Sequence, residues 1–135
     1  MRKRLAIAVG STLVCGVLTA LLFALPPAPT EVTINGDLQT GGVDTPWFTL
    51  SRQAGDKVRW KNLTSVSCSV EMGPHSPFPV EPIPVAANGG VSPEYDAAKA
   101  PPHPKGWPKG KVYKMYKYSV KCDGVIFDPG WGVTP

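Results

Sequence analysis

Beyond position 30, six residues carry side chains suited to holding a metal or exchanging electrons: Cys68, Cys122, His75, His103, Met72 and Met115. Two imidazoles with a thiolate make a blue Cu(II) centre, and softer thioethers favour Cu(I). In an oxidising compartment the same two cysteines would instead bond to each other. A third use is nucleophilic catalysis by a Cys68 thiolate activated by His75. That chemistry needs an exposed, electropositive cysteine, whereas Cys68 falls on the apolar side of its segment. The chain has no Gly-x-Ser-x-Gly, no His-Glu-x-x-His and no phosphate-binding glycine loop, and its acids are scattered. The expectation is a protein that is not an enzyme; nothing positive supports a small secreted enzyme of unknown chemistry.

The choice between copper and disulfide turns on the compartment. Arg2, Lys3 and Arg4 precede Leu5–Leu25, a run of 21 residues without a charge. A basic start before an apolar stretch is the pattern of a secretory signal, and this run is also long enough to cross a bilayer. Residues 1–25 are therefore either a cleaved signal peptide or a retained membrane anchor, and 26–30 form a stiff Pro-rich linker. Both readings export residues 31–135, to the periplasm or the extracellular space, because basic residues stay on the cytoplasmic side. Cys15 lies inside the apolar run, which leaves Cys68 and Cys122 as an even pair and favours a disulfide. Without the three N-terminal basic residues the balance is 11 basic to 10 acidic. Such a body offers no cationic excess for nucleic acid. The partner expected instead is a protein or other envelope component.

The elements that must present the cysteines are strands. Lys57–Asn62 alternates, with Val58 and Trp60 on one face and Lys57, Arg59 and Lys61 on the other. Val66, Cys68, Val70 and Met72 share a face, as do Tyr116, Tyr118, Val120 and Cys122, so both cysteines point inward. Glu31–Gly36, Trp47–Leu50, Gly124–Phe127 and Trp131–Val133 complete the set, with Asp128-Pro129-Gly130 as a turn. Between Gly73 and Gly110 lie ten prolines and no period survives. A long loop over 73–110 is expected, with a short helical turn at 93–99 capped by Ser92. Asn62-Leu63-Thr64 fits the N-glycosylation acceptor pattern. Phe78, Tyr95, Trp107 and Trp131 are candidates for an aromatic binding surface, the alternative being a lid packed over one end of the sheets.

Gly55-Asp56-Lys57-Val58-Arg59-Trp60-Lys61-Asn62, followed by Ser67-Cys68-Ser69-Val70, resembles the strand of cupredoxins that leads to their first copper ligand. Tyr116-x-Tyr118-x-Val120-x-Cys122 resembles their late aromatic strand. The resemblance covers roughly 31–133 and implies a small antiparallel Greek-key β-sandwich, all-β, with 73–110 as an insertion. It also implies that copper has been lost. Cys68 stands where the family has its first histidine, and no His, Met or Cys follows Cys122. A Cys68–Cys122 disulfide would replace type 1 copper, and the expected cofactor is none. The alternative is a copper-binding or electron-transfer protein with the non-standard ligands Met72, His75, His103 and Met115.

Overall fold

A computed structural model describes residues 25–135. The signal or anchor segment, Cys15 included, lies outside the described residues apart from Leu25. Ten strands dominate: β1 (Thr30–Ile34), β2 (Trp47–Ser51), β3 (Lys57–Asn62), β4 (Cys68–Met72), β5 (Ile83–Val85), β6 (Gly90–Val91), β7 (Tyr95–Asp96), β8 (Lys114–Cys122), β9 (Val125–Phe127) and β10 (Gly130–Thr134). Among the described residues no helix is long and apolar enough to cross a membrane.

Alternation decides what each strand buries. Val58, Trp60 and Asn62 are buried in β3, and Tyr116, Tyr118, Val120 and Cys122 in β8. In the first sheet β3 is central, with β1 on one side and β6 and β7 in succession along the other. The second sheet runs β2-β10-β8-β4-β5, with β9 on the far half of β8. The sheets pack face to face through aromatic rings. Trp60 of the first meets Tyr118 of the second edge-on at 5.6 Å, and within the second sheet the paired Tyr116 and Trp131 stack at 4.7 Å. Buried Trp and Tyr rings are the largest single contributors to such a core.

Both sheets are mixed rather than antiparallel. β1 runs parallel to β3, and β2 parallel to β10. Alternation reports which face a side chain occupies; it carries nothing about the direction of the neighbouring strand. β1 and β2 lie in different sheets, so the chain crosses between layers where a hairpin would have kept the pair antiparallel.

The 73–110 segment holds more structure than its composition suggests. β5 pairs with β4, burying Ile83 and Val85 and turning Pro84 outward. Proline is tolerated there because β5 is the edge of its sheet. The expected helical turn is shorter and starts later: Tyr95–Asp96 is strand, and Asp96, not Ser92, caps a 3-10 turn at Ala97–Lys99. Ser92 has another task. Its hydroxyl accepts from Trp60 N–H at 2.9 Å and donates to the Pro93 carbonyl at 2.8 Å.

Two ends of the sandwich follow from register. Ile34, Asn62, Cys68 and Cys122 meet at one, the disulfide end. β1 begins and β10 finishes at the other, the terminal end, where Thr30 faces Val58 and the Ser51 hydroxyl reaches the Pro135 carbonyl at 2.7 Å.

Candidate functional site

The disulfide end is built from neighbouring strands. Cys68 and Cys122 stand directly opposite each other in the antiparallel β4–β8 pair, with Cα atoms 4.3 Å apart, and their sulfurs are bonded. That separation belongs to the closer, non-hydrogen-bonded kind of antiparallel pair, where side chains approach most. β8 then turns back through Asp123 and Gly124, both at positive φ (47° and 80°), into β9. Two such residues between antiparallel strands make the type I′ hairpin for which Asp-Gly is favoured.

Around the bridge, Asn62 organises the backbone. It is fully buried, and its side-chain amide donates to the carbonyls of Val66 (2.7 Å) and Val85 (3.1 Å). Its oxygen accepts from the N–H (2.9 Å) and hydroxyl (2.7 Å) of Thr64. The Thr64 hydroxyl lies 3.7 Å from Cys68 Sγ. One buried amide thus joins β3, the 63–67 loop and β5 beside the sulfur. Asn62 is consequently no glycan acceptor in the folded chain, since both of its amide protons are enclosed and bonded. The acceptor pattern in the sequence is here a structural hydrogen-bond motif.

Three loops rise around the bridge and leave a groove of about 460 Å³, lined by Leu38, Val66, Cys122, Asp123, Val125 and Phe127 among others. Its floor is held close: at Gly42, with φ 79°, an added Cβ would enter the Phe127 ring. The groove is open, with Leu38 75% and Val125 44% exposed, and Asn35, Thr64, Ser65 and Asp123 add polar groups to its lining. Nearby carboxylates serve the backbone. Asp37 accepts from Gln39 N–H at 2.8 Å and Asp44 from Thr33 N–H at 2.8 Å.

The four candidate non-standard ligands are dispersed. Met72 is buried in β4 opposite Tyr118, while Met115 lies exposed on the outer face of β8 opposite Gly132. His75 is exposed in the turn after β4. His103 packs edge-on against Tyr113 at 5.8 Å near the terminal end. Among the described residues no group of three or more His, Cys, Asp or Glu is arranged to hold a metal ion.

The four aromatics proposed as a surface do not form one. Phe78 and Trp131 are buried and stack at 4.8 Å, and Tyr95 packs against Phe78 at 5.5 Å. The proline-rich segment brings Phe78 down as a lid on the core, and only Trp107 is exposed. In that core the indole N–H groups of Trp60 and Trp131 and the hydroxyls of Tyr116 and Tyr118 have no hydrogen-bond partner among the described residues. Burial raises the Tyr118 pKa well above the ordinary 10.0, opposed by the neighbouring Trp60 indole and reinforced by Asp44.

No protein-family model matches the chain, and no curated protein matches it. Sequence reasoning missed Asn62 and Thr64 as the organising pair, although Asn-x-Thr after a strand can bond its own backbone. It also missed the Asp123-Gly124 hairpin, which that dipeptide signals directly.

Proposed function

We propose that this chain is an exported, non-enzymatic binding or structural module with a cupredoxin-like Greek-key sandwich, in which the Cys68–Cys122 disulfide takes the place of type 1 copper. The observation that carries this reading is the bridge itself. By the resemblance, Cys68 occupies the first-histidine position and Cys122 the ligand-bearing strand, and a blue centre needs a free thiolate. Sulfurs bonded to each other supply none. The segment after Cys122, which in the resemblance would be the ligand loop, is a two-residue hairpin. Export is supported by the bridge, which persists in oxidising compartments. A module that works through its surface is supported by the open groove beside the bridge.

Loading purified protein with Cu(II) tests this. The expected result is no intense visible charge-transfer band and no copper-dependent rise in Tm, because a ligand that binds only the native state must raise it. Thiol titration of the denatured chain should find Cys68 and Cys122 both blocked. A stoichiometric, strongly coloured complex would overturn the reading and return the chain to the electron carriers.

A further inference from the structure

We propose that the lysine-rich segment 99–114 is a docking surface for the anionic phospholipid headgroups of the membrane to which the N-terminal segment leads. The proposal rests on the export reading above and on three observations.

The first is charge. From Ala97 to Cys122 the chain has seven lysines, at 99, 105, 109, 111, 114, 117 and 121, and no acid. All seven are exposed. Lys121 pairs with Glu71 at 2.7 Å, whereas Lys99, Lys105, Lys109, Lys111 and Lys114 have no acidic partner within 4.0 Å among the described residues. Three acids share this end, fewer than the five lysines without an acidic partner. Asp56 accepts from Ser51 N–H, Asp96 from Ala98 N–H, and Glu94 pairs with Lys57 at 3.6 Å. The near-neutral body of the chain thus conceals a strongly cationic end.

The second is form. Pro104-Lys105-Gly106-Trp107 and Pro108-Lys109-Gly110-Lys111 repeat the tripeptide Pro-Lys-Gly at a spacing of four. Each closes as a turn, with Trp107 N–H on the Pro104 carbonyl (3.1 Å) and Lys111 N–H on the Pro108 carbonyl (3.2 Å). Gly106 and Gly110 at positive φ (79° and 74°) take the third position that a type II turn reserves for glycine. Lys105 and Lys109 therefore sit at the corners of two rigid turns. Between them is the exposed Trp107, its indole N–H donating to the Lys111 carbonyl at 3.1 Å. Indole rings favour the headgroup level of a bilayer, and clustered lysines are attracted to anionic lipid.

The third is position. Ala97 N–H bonds the Asp56 carbonyl (2.8 Å), Arg52 Nε–H bonds that of Ala100 (2.7 Å), and Tyr113 N–H bonds that of Val133 (3.0 Å). The segment thus crosses the terminal end from one sheet to the other, at the end where β1 begins. From Leu25, the last residue of the uncharged run, to Thr30 an extended chain spans at most about 17 Å. A membrane reached by that run faces this end, and the groove beside the disulfide faces away.

The test uses the full chain in vesicles of phosphatidylcholine with and without phosphatidylglycerol, carrying brominated acyl chains as quenchers. The fluorescence component removed by Trp107→Phe reports Trp107 alone. With phosphatidylglycerol we expect that component to be quenched, and the quenching to fall with added salt. Each Lys→Gln change at 105, 109 and 111 should lower the equilibrium constant for docking about fivefold at low salt, with Tm unchanged because these side chains are exposed. Equal quenching in both lipids, or none, would overturn the proposal, as would capture by soluble polyphosphate with no dependence on lipid composition. A coloured copper complex would refute the preceding reading and leave this result standing; an unquenched Trp107 would do the reverse.

Discussion

The two ends of the sandwich hold their loops by different means. At the disulfide end, loops are fixed from beneath by the covalent bridge, by the buried Asn62 amide and by Phe127 against Gly42. At the terminal end, a cationic segment with no buried polar anchor of its own is shaped by proline and glycine. Its lysine side chains point to solvent, and it meets the body through Ala100 and Tyr113 packed on the core and through backbone bonds at those two residues, while the Tyr113 hydroxyl closes the segment on itself at the Pro101 carbonyl, 2.6 Å away. The difference teaches where stability resides. Substitutions should be costly at the first end and nearly silent at the second, whatever they do to binding.

The largest effect is expected from the bridge. It closes a loop of sequence separation 54, and Cys68→Ala with Cys122→Ala should cost about 4 kcal/mol on the chain-entropy model, measured by urea unfolding. Hydrogen exchange should then rise first in β4, the 63–67 loop and the 122–125 hairpin, with Ala97 and Tyr113 N–H still protected. Equal loosening of both ends would break the comparison.

Asn62→Ala comes next. It leaves the Val85 carbonyl and Thr64 N–H without their side-chain partner and takes one of two donors from the Val66 carbonyl, which keeps the Thr64 hydroxyl; unmet buried groups of this kind should together cost about 3 kcal/mol. Folded protein offered to an oligosaccharyltransferase with its lipid-linked donor should gain no mass at this site, because the folded amide is enclosed. A glycan on Asn62 in folded protein would contradict the network.

Tyr118 offers a pH test of the core that joins the ends. Its folded pKa is raised by burial, so below the ordinary value of 10.0 its proton is held in both states and stability is full. Above 10 the unfolded chain loses that proton while the folded chain keeps it. Unfolding free energy should therefore fall by about 1.4 kcal/mol per pH unit from pH 10 up to the folded pKa. Tyr118→Phe should reduce that slope to what Tyr95, Tyr113 and Tyr116 contribute, whose pKa values burial also raises. At neutral pH it should be neutral or stabilising by about 1 kcal/mol, since the lost hydroxyl is buried without a partner.

The smallest effect is expected at the terminal end. Trp107→Phe should change stability by less than about 0.5 kcal/mol, read by the same urea titration. A loss as large as that of Asn62→Ala would mean that the 99–114 segment is a structural brace, and the contrast between the ends would collapse.

Much of the sandwich was legible in the sequence. Alternation in Lys57–Asn62, Ser65–Met72 and Tyr116–Cys122 named the buried faces and turned both cysteines inward, because side chains two apart share a face in any extended strand, although the second strand begins only at Cys68. That signal is local and survives without knowledge of neighbours. What it cannot contain is pairing. The opposition of Cys68 to Cys122, the parallel course of β1 beside β3, the burial of Phe78 on Trp131 and the enclosure of the Asn62 amide are contacts between distant segments. β5 has three residues and a proline, too little for a period to register, and only its place beside β4 makes it a strand. The run of lysines without an acid from Ala97 to Cys122 is legible in the sequence, and only the fold showed that five of them, Lys99 to Lys114, lie across the end where β1 begins. The sequence determined which side chains face inward because that depends on residues i and i+2. The tertiary structure decided what those side chains meet, because each meeting depends on how the whole chain closes around them.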